Sequence, residues 1–120
     1  MQLVREIEFS AKLIEELGVK VRAIYVGGGT PTSLCEDDFA KVIGAISKID
    51  CDEFTVEAGR PDTITVDKLK IMADNKVSRI SINPQTFNDK TLALIGRNHS
   101  SEDIFKVYGE AININAFGIC

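Results

Sequence analysis

Apolar positions in this chain change period repeatedly along its length. Over residues 3–17, Leu3, Ile7, Ile14 and Leu17 share one helical face with charges opposite, which predicts a helix stopped by Gly18. Residues 21–26 (VRAIYV) are β-branched and aromatic and predict a short strand. After the loop 27–34 (GGGTPTSL), Phe39, Val42, Ile43 and Ile46 fall at helical spacing, with Glu36, Asp37 and Asp38 where a helix dipole favours anions. The cycle repeats as strand 53–58 (EFTVEA), loop 59–65 (GRPDTIT) and a helix through Leu69, Met72 and Ala73 with Thr65 at its N-cap. A third strand over 78–83 (SRISIN) precedes loop 84–88, a short helix over 89–95 capped by Asn88, loop 97–100, and a final helix from about Ser101.

Strands starting near residues 21, 53 and 78, separated by helices, predict an α/β fold of consecutive βα units with parallel strands. The strand centres read as apolar on both faces, as in a sheet covered on both sides. No internal repeat is visible in the letters. Three parallel strands leave two open edges, so the pattern fits a piece of a larger barrel or sheet. In such sheets ligands lie beyond the carboxyl ends of the strands. The unusual residues gather there.

Composition narrows the function classes. Of 120 residues, 44% are hydrophobic and 27% charged, which argues against disorder along the whole length. No apolar run suits a membrane span, and Arg5, Glu6 and Glu8 interrupt any signal-peptide core, so a cytoplasmic chain without membrane partners is expected. Net charge is -4 with no basic block, so nucleic acid is not an expected partner. Cys35, Cys51 and Cys120 are odd in number and widely spaced, which predicts free thiols and no metal knuckle.

Each candidate residue has a plain and a functional reading. Gly27, Gly28, Gly29, Thr30, Pro31 and Thr32 leave the first strand as either a tight turn or a close-approach site for a ligand. The segment matches neither GxxxxGK[ST] nor GxGxxG, so a nucleoside triphosphate site of the usual kind is not expected. Glu57 ends the second strand; it is a solvated charge or a partner for an ammonium or ribose hydroxyl. Gln85, after Asn83 and Pro84, serves turn chemistry or ligand hydrogen bonds. Arg97 is an ordinary surface arginine or a carboxylate clamp. His99 is the only histidine and lacks an evident acid–base partner; Cys35 lacks a base that would activate it.

Taken together, YVGGGTPTSL, EFTVEAGRPDTIT and RISINPQTFNDKTLALIGRNH resemble, collinearly and over essentially the whole chain, the radical S-adenosylmethionine (SAM) enzymes of the oxygen-independent coproporphyrinogen III oxidase (dehydrogenase) group. The spelling AGRPDTIT with SINPQT looks most like a branch found in firmicute-type bacteria. The resemblance implies a partial (β/α) TIM-like barrel and two cofactors, SAM and a [4Fe–4S] cluster held by a CxxxCxxC loop. It also implies oxidative decarboxylation of porphyrinogen propionates to vinyl groups in haem biosynthesis, with an electron donor as a further partner. By the same resemblance Gly28, Gly29 and Thr30 match the glycine motif beside the methionine end of SAM. Glu57 matches a strand-end glutamate, Gln85 a VQ-type glutamine and Arg97 the arginine of a GR(x)H stretch.

The chain departs from that pattern in having no CxxxCxxC. The resemblance puts the cluster loop ahead of Met1, and an aspartate and the substrate-closing region beyond Cys120. Residues 1–120 are therefore expected to be a central segment of a radical SAM core domain, with no catalytic or metal-ligating residue of its own. As an isolated piece it is expected to be inactive and poorly stable. Relatives in the family include methyltransferases and a haem chaperone, which are alternative activities. A non-catalytic truncated remnant and a generic phosphate-binding α/β domain are the rivals outside it.

Overall fold

The computed structural model of the chain describes residues 1–82, 87–96, 100–114 and 118–119. Helix α1 (Gln2–Leu17) leads to strand β1 (Ala23–Val26), then α2 (Glu36–Ile46), β2 (Glu53–Ala58), α3 (Val66–Asp74), β3 (Arg79–Ile82), α4 (Asp89–Leu94), α5 (Ser101–Ile114) and a two-residue β4 (Gly118–Ile119). The predicted elements are present, and β4 is an addition. Nothing in its two residues distinguishes it from loop; only pairing with β3 defines it.

Local chemistry explains the boundaries. Gly18 adopts φ 64°, and the N–H groups of Gly18 and Val19 donate to Glu15 O and Ile14 O, closing α1 in a Schellman motif. Thr65 Oγ1 accepts from Lys68 N at 3.1 Å and Asn88 Oδ1 from Thr91 N at 3.1 Å, so both predicted N-caps form. Glu36, Asp37 and Asp38 occupy the first turn of α2 as expected.

All four strands are parallel, in the order β1-β2-β3-β4. That order has a consequence. Parallel crossovers share one hand, so strands laid down consecutively in one direction place every connecting helix on the same side of the sheet. One core accordingly joins Phe39, Val42, Ile43 and Ile46 of α2, Leu69 and Met72 of α3, and Val107 and Ala111 of α5 to Phe54, Val56, Ala58, Ile80 and Ile82 of the sheet; Val4 and Ile7 of α1 pack at its margin.

The other face bears no helix from that core. Register places Tyr25, Thr55 and Arg79 in one row across it and Glu57 with Ser81 in the next. Tyr25 and Arg79 are exposed, Glu57 and Ser81 half-buried. This corrects the expectation of strands apolar on both faces: β1–β3 alternate, and the polar half of the alternation lines the uncovered side. A sheet helix-coated on one face and polar on the other is an arc of a (β/α) barrel, not a doubly wound sheet. Among the described residues no helix is long and apolar enough to cross a membrane.

Candidate functional site

Glu57 is the penultimate residue of β2, and its carboxylate lies near the glycines that leave β1 and β2, Gly27 and Gly59. A β-carbon on Gly27 would lie 3.0 Å from Glu57 Oε2 and 2.7 Å from Tyr25 Cε1; one on Gly59 would lie 4.0 Å from Glu57 Oε1. Glycine at 27 is thus favoured by close approach, because the ring of Tyr25, two residues earlier on the same face, and the Glu57 carboxylate would have to shift for any side chain there. Gly28 is required for a different reason. Its φ is +109°, which L side chains rarely adopt, while the space around it and around Gly29 is open. The result is a half-buried carboxylate beside an exposed backbone turn, at the carboxyl edge of a parallel sheet.

Behind this open side the loops are tied together. Pro31–Ser33 after β1 and Pro61–Thr63 after β2 each form a single 3-10 turn, entered from extended backbone at Thr30 and Arg60. Ser33 N and Oγ both donate to Thr30 O, and Thr63 N and Oγ1 both donate to Arg60 O. Since the one hydroxyl proton of Thr63 goes to Arg60 O, the 2.6 Å contact between Thr32 Oγ1 and Thr63 Oγ1 has Thr32 as donor. Lys68, buried in the first turn of α3, donates from Nζ to Thr32 O at 2.6 Å and to Thr63 O at 3.1 Å. Thr65 Oγ1 donates to Glu36 Oε1 at 3.2 Å, linking the starts of α2 and α3.

Of the residues singled out from the sequence, the structure brings the turn of Gly28, Gly29 and Thr30 together with Glu57 at one end of the sheet. Gln85 and Arg97 lie outside the described residues, as do His99 and Cys120. Cys35 is exposed at the N-cap of α2; Cys51 precedes β2, toward the amino end of the strands. Burial is the main cause of an upward shift in the Cys51 thiol pKa; Asp50 and Asp52 add to it and Lys76 opposes it.

Sequence reading singled out Gly27 and Thr32 within the glycine turn but overlooked Tyr25, Thr63 and Lys68. A signal for the turns was present: Pro-x-Ser/Thr follows each of the first three strands, as Pro31-Thr32-Ser33, Pro61-Asp62-Thr63 and Pro84-Gln85-Thr86. Lys68 stands three residues after the Thr65 cap, beside Leu69 on the buried side of α3, where an apolar residue is usual.

A concavity of about 590 Å³ lies at the other end of the sheet between α1 and α2, lined by Lys12, Val19, Lys20, Lys48 and Asp50 among others. It has no contact with the loops after the strands. An apolar hollow of about 220 Å³, bordered by Leu3, Gly27, Gly29, Pro31 and Phe39, lies against the glycine turn. The carboxyl edge is the chemically equipped end, since a carboxylate and an open backbone turn adjoin there.

The chain is similar to known proteins in sequence and in fold. The chain is 40% identical over 108 residues to the oxygen-independent coproporphyrinogen-III oxidase-like protein HemZ of Bacillus subtilis (strain 168), covering 86% of this chain and 22% of that protein. It is also 40% identical over 99 residues to the heme chaperone HemW of the same organism, covering 78% of this chain and 26% of that protein. The solved structure of coproporphyrinogen III oxidase (HemN) from Escherichia coli, a radical SAM enzyme, superposes with a TM-score of 0.79 at 27% identity, over 98% of this chain and 27% of that one. The chain therefore spans about a quarter of the length of these proteins.

The family's cofactors are SAM and a [4Fe–4S] cluster. The donor set fits the first. SAM presents an ammonium, a carboxylate and ribose hydroxyls, and an anionic oxygen pair beside unencumbered backbone can receive such groups. The described residues do not fit the second: no group of three His, Cys, Asp or Glu side chains converges among them. The radical SAM superfamily model matches residues 3–116. A one-sided βα arc with its polar chemistry at the carboxyl edge, matched over nearly its whole length, belongs to the radical SAM superfamily.

Proposed function

We propose that this segment forms part of the SAM-binding wall of a radical SAM oxidoreductase acting on a porphyrinogen. In this reading the backbone of Gly28, Gly29 and Thr30 and the carboxylate of Glu57 receive the polar groups of SAM, and the family resemblance adds Gln85 and Arg97 to the set. Bound SAM, when reduced by one electron, supplies hydrogen-atom abstraction. The cysteines that hold the cluster and the electron donor belong to other parts of the protein or to a partner. The reaction proposed is removal of a hydrogen atom from a substrate propionate, followed by loss of carbon dioxide and transfer of one electron to a separate electron acceptor, which leaves a vinyl group.

The single observation that carries the SAM assignment is the convergence of Glu57 with Gly27 at the mouth of β1 and β2. The test is equilibrium dialysis of SAM against the intact, anaerobically cluster-loaded protein. Glu57→Gln should weaken binding by about tenfold, as loss of a charge-assisted hydrogen bond does. Unchanged affinity would remove Glu57 from the site.

A second reading is favoured by the equal identity to the heme chaperone HemW: that this protein handles haem instead of decarboxylating a porphyrinogen. The two separate in one assay. Coproporphyrinogen III incubated with loaded protein, SAM and a reductant should lose carbon dioxide by mass spectrometry. Tight haem binding with no mass change would favour the second reading.

A further inference from the structure

We propose that Lys68 is a positioning residue whose ammonium locks the turn after β1 to the turn after β2, thereby setting the glycine backbone relative to Glu57. The ligand side of this proposal rests on the SAM reading above. The mechanical side rests on contacts. Lys68 is 7% exposed, and its Nζ spans Thr32 O at 2.6 Å and Thr63 O at 3.1 Å, carbonyls 31 residues apart in sequence. No carboxylate lies within 4.0 Å of it among the described residues.

Burying an ammonium with only carbonyl partners is expensive, and an apolar residue of similar length would fill the same space. What an apolar residue does not do is bridge two loops. The hydroxyl chain from Thr32 through Thr63 to Arg60 O runs alongside and ties the same pair. Thr32 is fully buried, whereas Gly28 and Gly29 face open space. The lysine therefore grips the loops from behind and leaves their front to a ligand. Supporting groups of this kind typically act through the residues they orient.

A merely structural lysine would lower stability and leave affinity alone, so the experiment compares variants of matched stability. In the intact cluster-loaded protein, Lys68→Met is set against Met72→Ala, a fully buried α3 residue whose thioether has no proton to donate to either turn carbonyl. Both should melt earlier. Lys68→Met should raise the SAM Kd about tenfold or more, while Met72→Ala leaves it near that of the unsubstituted protein. The electron paramagnetic resonance signal of the reduced cluster should be the same in all variants without SAM, and its change on SAM addition should need correspondingly more SAM in Lys68→Met.

Thr63→Val, which keeps the ammonium and cuts the hydroxyl chain, should raise Kd about threefold, and it carries the test should Lys68→Met not fold. Equal SAM affinity in Lys68→Met and the unsubstituted protein overturns the proposal, as does unchanged affinity in Thr63→Val where Lys68→Met is unfolded. Failure of the unsubstituted protein to bind SAM overturns the SAM reading itself and the ligand side of this one with it.

Discussion

Glu57 Oε2 stands 3.0 Å from the point a β-carbon on Gly27 would occupy, so the two residues cannot be varied independently. The crowding on the other side comes from the far edge of the Tyr25 ring, at 2.7 Å. Tyr25 is exposed and the crowded atom lies at the edge of its ring, so Gly27→Ala should cost about 1 kcal/mol of stability. It should nevertheless displace the carboxylate and weaken SAM binding, and adding Tyr25→Ala should restore part of the melting temperature and little of the affinity. Thermal melts and dialysis on the single and double variants check this.

Gly28 and Gly29 should respond differently although they adjoin. Both have open space around them, but only Gly28 has positive φ, at +109°. Gly28→Ala should destabilise by about 1–3 kcal/mol through backbone strain. Gly29→Ala should stay within about 0.5 kcal/mol of the parent. Denaturant titration separates them, and equal effects would show that strain is not what distinguishes the two positions.

Much of this was legible in the letters. The letters located every α-helix and every strand longer than two residues, though not the two 3-10 turns, and Gly18, Thr65 and Asn88 announced their caps because local hydrogen bonding decides those positions. Glu57 was recognisable because a carboxylate ending an apolar strand is unusual. Tertiary facts were not legible. The alternation of Tyr25, Thr55, Glu57 and Ser81 reads as polar punctuation until one knows that the helices lie on a single side. Lys68 reads as a surface lysine until two distant carbonyls are brought to it. β4 exists only through its partner β3.

The first turn of α3 gives a further test. Thr65→Ala removes the acceptor for Lys68 N and the donor to Glu36, and should cost about 1 kcal/mol. Leu69→Ala, four residues on and fully buried, should cost about 2–5 kcal/mol. Melting curves should rank the two in that order.

The cysteines should differ in reactivity. Cys35 is exposed, whereas Cys51 is half-buried and its thiol is pushed up chiefly by burial, then by Asp50 and Asp52, with Lys76 opposing. Less thiolate at a given pH means slower attack on iodoacetamide. Peptide mass spectrometry of a timed reaction at mildly alkaline pH should find Cys35 modified first, with Cys51 catching up as pH rises. Prior modification of Cys51 would contradict the burial.

The paired 3-10 turns make the rim of the sheet modular. Each turn keeps one backbone course whatever stands at the strand end before it, a bare glycine at position 27 or an acid at position 57. Substitutions at those addresses can redraw which cargo the rim prefers without rebuilding the joint beneath, so diversification within such a lineage is easiest one strand tip at a time.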